Sequence, residues 1–176
     1  MFRSWSATKI VVLAVLTALI AVLTLMVRVP IAPTRGYIHL GDAGMFFASF
    51  AFGPAIGFLA GGLGTGLADL LGGYAHWAPL SFVIHGVQGL LAGYIGYRQL
   101  AGRQALGWLV GGLVMVAGYF LAEVVLYGAG AAIVEVPGNF IQCIAGGLVA
   151  IPLAAAIRRA WPPIDTLVMP RTWEER

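Results

Sequence analysis

The sequence predicts an all-α integral membrane protein with six transmembrane helices and both termini in the cytoplasm. Three observations carry that reading: long segments nearly free of charge, Pro and Gly breaks that divide them into six, and a one-sided distribution of Lys and Arg. The chain is 60% hydrophobic and only 10% charged over 176 residues, with a mean hydropathy of +0.92. Too few charges remain to clothe a soluble domain of this size. A span takes roughly 20 apolar residues, so residues 1–176 form a single membrane domain. Twenty-five glycines suit helices that approach closely in lipid. The segments lack the period-2 alternation of a transmembrane barrel.

The first span covers 8–27, after an amphipathic start with Arg3, Trp5 and Lys9. A signal peptide would have a shorter apolar core, and no small-x-small cleavage site follows Val27, so the segment reads as a mature helix. Pro30, Pro33 and Gly36 then exclude a helix and leave an ordered loop from Arg28 to His39. A short second span covers 40–52, and Gly53-Pro54 forces a corner into a third, 55–71. A loop from Gly72 to Pro79 carries Tyr74, His76 and Trp77. The fourth span covers 80–97, a basic connection runs from Arg98 to Arg103, and the fifth span covers 106–127. A Gly/Ala-rich loop ending in Glu135-Val-Pro137 leads to the sixth span, 138–157, whose far end Pro152 should kink. A polar tail, 158–176, contains Arg158, Arg159, Asp165, Arg171, Glu174, Glu175 and Arg176. No internal repeat compels an inverted-repeat transporter.

With six spans, Arg3, Lys9, Arg98, Arg103, Arg158, Arg159, Arg171 and Arg176 share one face, and Arg28 and Arg35 lie on the other. The positive-inside rule makes the richer face cytoplasmic and the protein a multi-pass resident of the cell inner (cytoplasmic) membrane. Five spans would divide the basic residues between sides. The net charge of +3 does not suggest nucleic acid, because the cations sit in short loops and the tail rather than on a continuous surface. Cys143 is the only cysteine; it can form no intrachain disulfide and reads as a small packing residue.

The intramembrane polar groups fall toward the opposite face. His39 and Asp42 open the second span, and Asp69 closes the third. Ser81, His85 and Gln88 share one face of the fourth, Tyr119, Glu123 and Tyr127 one face of the fifth, and Asn139 with Gln142 the start of the sixth. An ionisable group at mid-span costs on the order of 2.5–3.5 kcal/mol on insertion scales, so each is expected to meet a partner or a wet cavity. Their common depth on five helices predicts one cavity opening outward, fenced by Tyr37, Tyr74 and Trp77, for a small, flat, polar organic solute. Taken singly, each residue has a structural alternative. Asp42 and Asp69 could cap helices or pair with Arg28 or Arg35, the aromatic residues could form an interfacial belt, Asn139 could cap a helix, and His85, Gln88 and Glu123 could join helices. No His-Glu-x-x-His, Gly-x-Ser-x-Gly or phosphate-binding Gly-x-x-x-x-Gly-Lys pattern occurs, so an enzyme is not indicated and no cofactor is implied. The three histidines and neighbouring acids match no compact metal-ligand spacing.

The runs Arg35-Gly-Tyr-Ile-His-Leu-Gly-Asp-Ala43, Phe52-Gly-Pro54, Ala68-Asp69, Gly72-Gly-Tyr74, Ala78-Pro79, Ile84-His-Gly-Val-Gln-Gly89 and Pro137-Gly-Asn-Phe-Ile-Gln142 resemble the substrate-binding S components of energy-coupling factor (ECF) vitamin transporters. The resemblance covers about residues 8–157. It implies a subunit that binds a vitamin or precursor, here a small flat heteroaromatic solute that is pyrimidine-, pyridoxine- or flavin-like. It also implies docking on a transmembrane coupling subunit driven by two ATPase subunits. Ala14 and Ala18 are similar to the family's Ala-x-x-x-Ala docking motif on the first helix. The fourth helix departs from the Ile-Lys-Gly-Leu-Glu-Gly of pyrimidine- or pyridoxine-type members, carrying His85 and Gln88 in place of the Lys and Glu. On this reading Tyr37, His39, Asp42, Asp69, Tyr74, Trp77, His85, Gln88, Glu123, Tyr127, Asn139 and Gln142 form the solute site. A structural or assembly membrane protein and a stand-alone solute carrier are the alternatives.

Overall fold

A short, wholly buried helix sits at the centre of the structure, a computed structural model that describes residues 6–168. The elements run α1 (Ala7–Met26), β1 (Arg28–Ile31), β2 (Gly36–His39), α2 (Gly41–Phe52), α3 (Pro54–Gly72), α4 (Ala78–Gly96), α5 (Ala101–Tyr127) and α6 (Ala129–Ala160), then a 3-10 turn, Pro162–Asp165. Arg3, Trp5, Arg171, Glu174, Glu175 and Arg176 lie outside the described residues. Five helices, all but α2, are long and apolar enough to cross a membrane. The 12 residues of α2 reach about 18 Å, well short of a hydrocarbon core of about 30 Å. Every residue from Gly41 to Ala51 is buried, as expected of a helix apolar on all sides.

Three expectations are corrected. The segment from Arg28 to His39 is an antiparallel hairpin rather than an irregular loop, with Arg28 opposite His39 and Ile31 opposite Gly36. Pro30 fits because the ladder is a two-stranded edge, and Arg35 takes a positive φ of 51° in the turn. The stretch before residue 138 is helical, so Glu135 and Pro137 lie inside α6. Only Gly128, at φ 86°, separates α5 from α6; the Ala-rich residues after it favour helix, and Pro137 removes a single backbone hydrogen bond without ending it. The fifth helix likewise begins at Ala101, so Arg103 sits in its first turn.

The contacts define two ends. At one, the Phe50 carbonyl accepts from Arg158 Nη2 at 2.6 Å and from the Arg98 backbone N–H at 3.3 Å, while Arg158 Nε donates to Asp165 at 2.9 Å. At the other, Arg28 Nη1 donates to the Gly72 carbonyl at 3.2 Å and Trp77 Nε1 to the Arg35 carbonyl at 3.2 Å. The basic loops therefore gather opposite the hairpin.

Helices α3 and α4 meet through glycine. A Cβ at Gly89 would lie 2.5 Å from the Gly57 carbonyl oxygen, and one at Gly93 would lie 2.7 Å from Pro54 Cα. Both obstacles are backbone, which cannot rotate aside. Gly89→Ala should therefore destabilise by about 1–3 kcal/mol, seen as a lower melting temperature in detergent. Gly130→Ala, with no atom within 4 Å of the added carbon, should be neutral or stabilising by up to about 1 kcal/mol.

Candidate functional site

Asp42 is fully buried in the first turn of α2, and its carboxylate is surrounded by donors from two other helices. Gln88 Nε2 on α4 donates to Oδ2 at 2.9 Å, and Gln142 Nε2 on α6 donates to Oδ1 at 3.1 Å. His85 Nδ1 lies 3.3 Å from Oδ1, and the Cys143 thiol points at Oδ2 from 3.6 Å. The α4 partners follow from helical spacing, since His85 and Gln88 are three apart and hydrogen-bond each other at 2.8 Å. With its NH2 turned to Asp42, Gln88 presents its carbonyl to His85. Nδ1 therefore carries a hydrogen, and Nε2 is left facing away.

The hairpin closes over this hub. The His39 backbone N–H donates to Gln142 Oε1 at 2.8 Å, so Gln142 binds the acid with one end and the hairpin with the other. His39 Nδ1 accepts from the Gly41 N–H at 3.0 Å, which leaves its proton on Nε2. Burial, reinforced by nearby His85, holds the His39 pKa well below its ordinary 6.5. The Tyr37 hydroxyl donates to Asp69 Oδ1 at 2.6 Å; burial and the Asp69 charge push that phenol above its usual range. Thr34 in the hairpin turn hydrogen-bonds the Glu135 carboxyl.

A second polar group lies between α5 and α6. Glu123 and Glu135 are both buried and lie close to each other, while neither Glu123 oxygen makes a hydrogen bond. Asn139, one turn beyond Glu135, is also buried. Ser81 and Tyr119 join α4 to α5 by a hydroxyl pair at 2.8 Å. Aromatic rings frame the rim: Tyr37 and Tyr74 centroids are 4.5 Å apart, and Trp77 lies 5.7 Å from Tyr119 and 6.0 Å from Tyr127. Together Gly36, Tyr37, His39, Asp69, Trp77, Ser81, Tyr119 and Glu135 line a cavity of about 10 Å³, room for roughly one water molecule. Small-molecule sites run to about 300–1,000 Å³, so this conformation is closed.

Helical topology, a buried polar cluster under a hairpin and an aromatic rim can now be set against known proteins. The family model for the S component of the ECF-type riboflavin transporter matches residues 4–159. The chain belongs to the ECF transporter S components. It is 38% identical over 152 residues to the "Thiamine precursor transporter HmpT" of Lactococcus lactis subsp. cremoris, covering 86% of this chain and 88% of that one. It is 36% identical over 146 residues to an "Uncharacterized protein in gap 3'region" of Pyrococcus woesei, covering 82% and 98%. The structure described as "Structure and mechanism of the S component of a bacterial ECF transporter" superposes with a TM-score of 0.61 at 21% identity, over 87% of this chain and 94% of the other. That likeness supports the fold. This S component is thus a membrane-embedded binding subunit for vitamin-type uptake and not an enzyme.

Of the residues the sequence nominates, Asp42, His85, Gln88 and Gln142 form one network with His39. Tyr37, Asp69 and Trp77 line the cavity with Glu135, Tyr74 and Tyr127 stand beside its aromatic residues, and Glu123 and Asn139 are buried without lining it. Among the described residues neither aspartate pairs with an arginine; in place of the alternative partners Arg28 and Arg35 stand Gln88, Gln142 and Tyr37. Nor does Asn139 cap a helix, because α6 starts ten residues earlier. Glu135 and Thr34 are the residues that sequence reasoning missed. The signal was present: Glu135, Asn139 and Gln142 share one helical face, visible once Pro137 is allowed inside the helix.

His39 gives the site a pH dependence. Its folded-state pKa is depressed, so the neutral form it requires is fully populated in both states above about 6.5, and stability falls as protons bind the unfolded chain below that value. Melting temperature should drop more steeply between pH 7.5 and 5.5 in the parent than in His39→Gln. Equal slopes would remove His39 from this role.

Proposed function

We propose that this S component captures a small, flat heteroaromatic vitamin or precursor, of pyrimidine, pyridoxine or flavin type, at the hairpin end of the bundle, and passes it to an ATP-driven coupling module. The carrying observation is the convergence of buried hydrogen-bonding side chains from β2, α2, α3, α4, α5 and α6 beneath one hairpin. His85, Gln88, Glu123, Asn139 and Gln142 bind the solute, while Tyr37, Tyr74, Trp77 and Tyr127 cover or stack on it. His39, Asp42 and Asp69 hold these groups in place. The riboflavin family match and the thiamine-precursor relative support a ring of this class without choosing among its members.

Admission requires the closed site to open, and the hairpin is the element that can lift. It is tied down by Tyr37 to Asp69, Thr34 to Glu135, His39 to Gln142 and Arg35 to Trp77. Each hydrogen bond contributes about 1 kcal/mol net, within reach of thermal opening. The hairpin end faces outward and the basic end, with both termini, faces the cytoplasm, in keeping with the positive-inside rule. On α1, Leu16, Ile20 and Thr24 turn inward while Ala14 and Ala18 are exposed. That smooth face docks the transmembrane coupling subunit, which works with two ATPase subunits in the cell inner membrane.

Mass spectrometry of small molecules released from the purified, denatured protein should find a retained heteroaromatic compound. The double change His85→Ala with Asn139→Ala should lower its affinity at least about 30-fold, given about 1–3 kcal/mol for each lost buried partner. Unchanged affinity in a folded double variant would remove this pocket. Ala14→Leu with Ala18→Leu should leave solute binding intact and abolish uptake, measured with labelled solute in cells that also express the coupling module.

A further inference from the structure

We infer that a second binding site lies at the basic end of the bundle, opposite the hairpin, and that it holds the phosphate of an anionic phospholipid. A cavity of about 350 Å³ opens there between the start of α5 and the end of α6. Arg158, Arg159, Gln99 and Gln104 bring N–H donors to its wall, and no carboxylate lines it. The cavity beneath the hairpin has Asp69 and Glu135 in its wall, so the two ends of the molecule offer opposite chemistry.

Three features of this wall call for an anion. Gln104 is only 2% exposed, and its Nε2 has no hydrogen-bond partner. A buried donor left unpaired is costly, and the terminal amide torsion is soft enough to turn the NH2 toward an incoming oxygen. The positive end of a long helix borders the same space. Ala101, the first residue of α5, lines the cavity, and no side chain caps that 27-residue helix, because Leu100 at the cap position has no acceptor to offer. The guanidinium groups complete the set. Arg158 is fixed by Asp165 through Nε and by the Phe50 carbonyl through Nη2, which leaves the hydrogens of Nη1 to donate. Arg159 is exposed and makes no ion pair among the described residues. A phosphate, with several oxygens around one atom, accepts from guanidinium, amide and helix N–H groups together.

The surroundings select a lipid as its source. Leu100 on the cavity wall is exposed, and farther along the same two helices Leu106, Leu109 and Leu153 are exposed as well. Acyl chains cover such a surface, and a free phosphate ion does not. Basic pockets between transmembrane helices suit anionic headgroups for this reason. Helix α1 packs on α2 and α3, so a lipid seated between α5 and α6 leaves the face with Ala14 and Ala18 uncovered.

Native mass spectrometry of the purified full chain in detergent, titrated with dioleoylphosphatidylglycerol or dioleoylphosphatidylcholine, tests the site. Phosphatidylglycerol should bind at least about 5-fold more tightly, and Arg159→Gln should weaken it at least about 5-fold, each ratio being the worth of one charge near a headgroup. Arg103→Gln removes the same charge from the same end but outside the cavity, and should leave the affinity unchanged. Equal binding of the two lipids, binding of neither, or equal losses in the two variants would reduce the site to diffuse surface charge and overturn the inference. A preference for phosphatidylglycerol that survives Arg159→Gln places the lipid elsewhere and overturns it too. Sodium phosphate that raises the melting temperature as far as phosphatidylglycerol does assigns the cavity to a free anion and overturns the lipid. The comparison of the two lipids on the unaltered chain stands whether or not a variant folds.

Discussion

A carboxyl group at the centre of an apolar bundle is tolerable only if its oxygens are met by hydrogen-bond partners, and Asp42 imposes that condition on three helices at once. Two glutamine amides, a thiol and an imidazole N–H answer it from α4 and α6. Removing either glutamine leaves a buried oxygen short of a partner, at about 1–3 kcal/mol. The requirement explains the departure on the fourth helix. A glutamate at position 88 would bring a second carboxylate against Asp42, whereas Gln88 supplies an NH2 to the acid and a carbonyl to His85. His85 and Gln88 are therefore a matched pair dictated by the acid on α2.

The same network couples the buried core to the roof. Gln142 spans the two, binding Asp42 through its amide nitrogen and the His39 backbone through its oxygen. Any group that pulls Gln142 toward a solute would loosen the hairpin and the α2 start together. Gly41 makes this junction possible, since a Cβ there would press on the His39 ring, 3.0 Å from Nδ1. Opening of the roof and recognition of a guest are in this way one equilibrium seen from two sides.

Much of this was legible in the sequence. The apolar segments, the corner at Gly53-Pro54 and the i, i+3, i+4 spacing of His85, Gln88, Glu123, Asn139 and Gln142 follow from composition and periodicity. The sixth-helix boundary was not, because Pro137 reads locally as a breaker and only tertiary packing shows that one missing backbone bond is tolerated. That error concealed Glu135. The hairpin was hidden for a different reason: two prolines and a glycine in a twelve-residue stretch mark a break, but strand pairing depends on what lies beneath it. Arg28 and Arg35, the alternative partners of Asp42 and Asp69, pair with neither, because long cationic side chains reach interfacial carbonyls more cheaply than buried acids, as Arg28 does at Gly72.

Satisfied and unsatisfied polar groups separate into two layers. Both Asp42 oxygens are met by the protein itself, as any helical bundle that had to bury this acid would require. Those at Glu123, Asn139 and Asp69 keep open valences although they are equally removed from solvent. Leaving a buried acceptor unpaired costs about 1–3 kcal/mol, and apolar replacements would have packed α5 against α6 without that penalty. The hairpin beside Asp69 is held by a handful of side-chain bonds. Unfilled hydrogen-bonding capacity beneath a lightly fastened roof is the arrangement expected of a protein whose missing partners arrive with the solute.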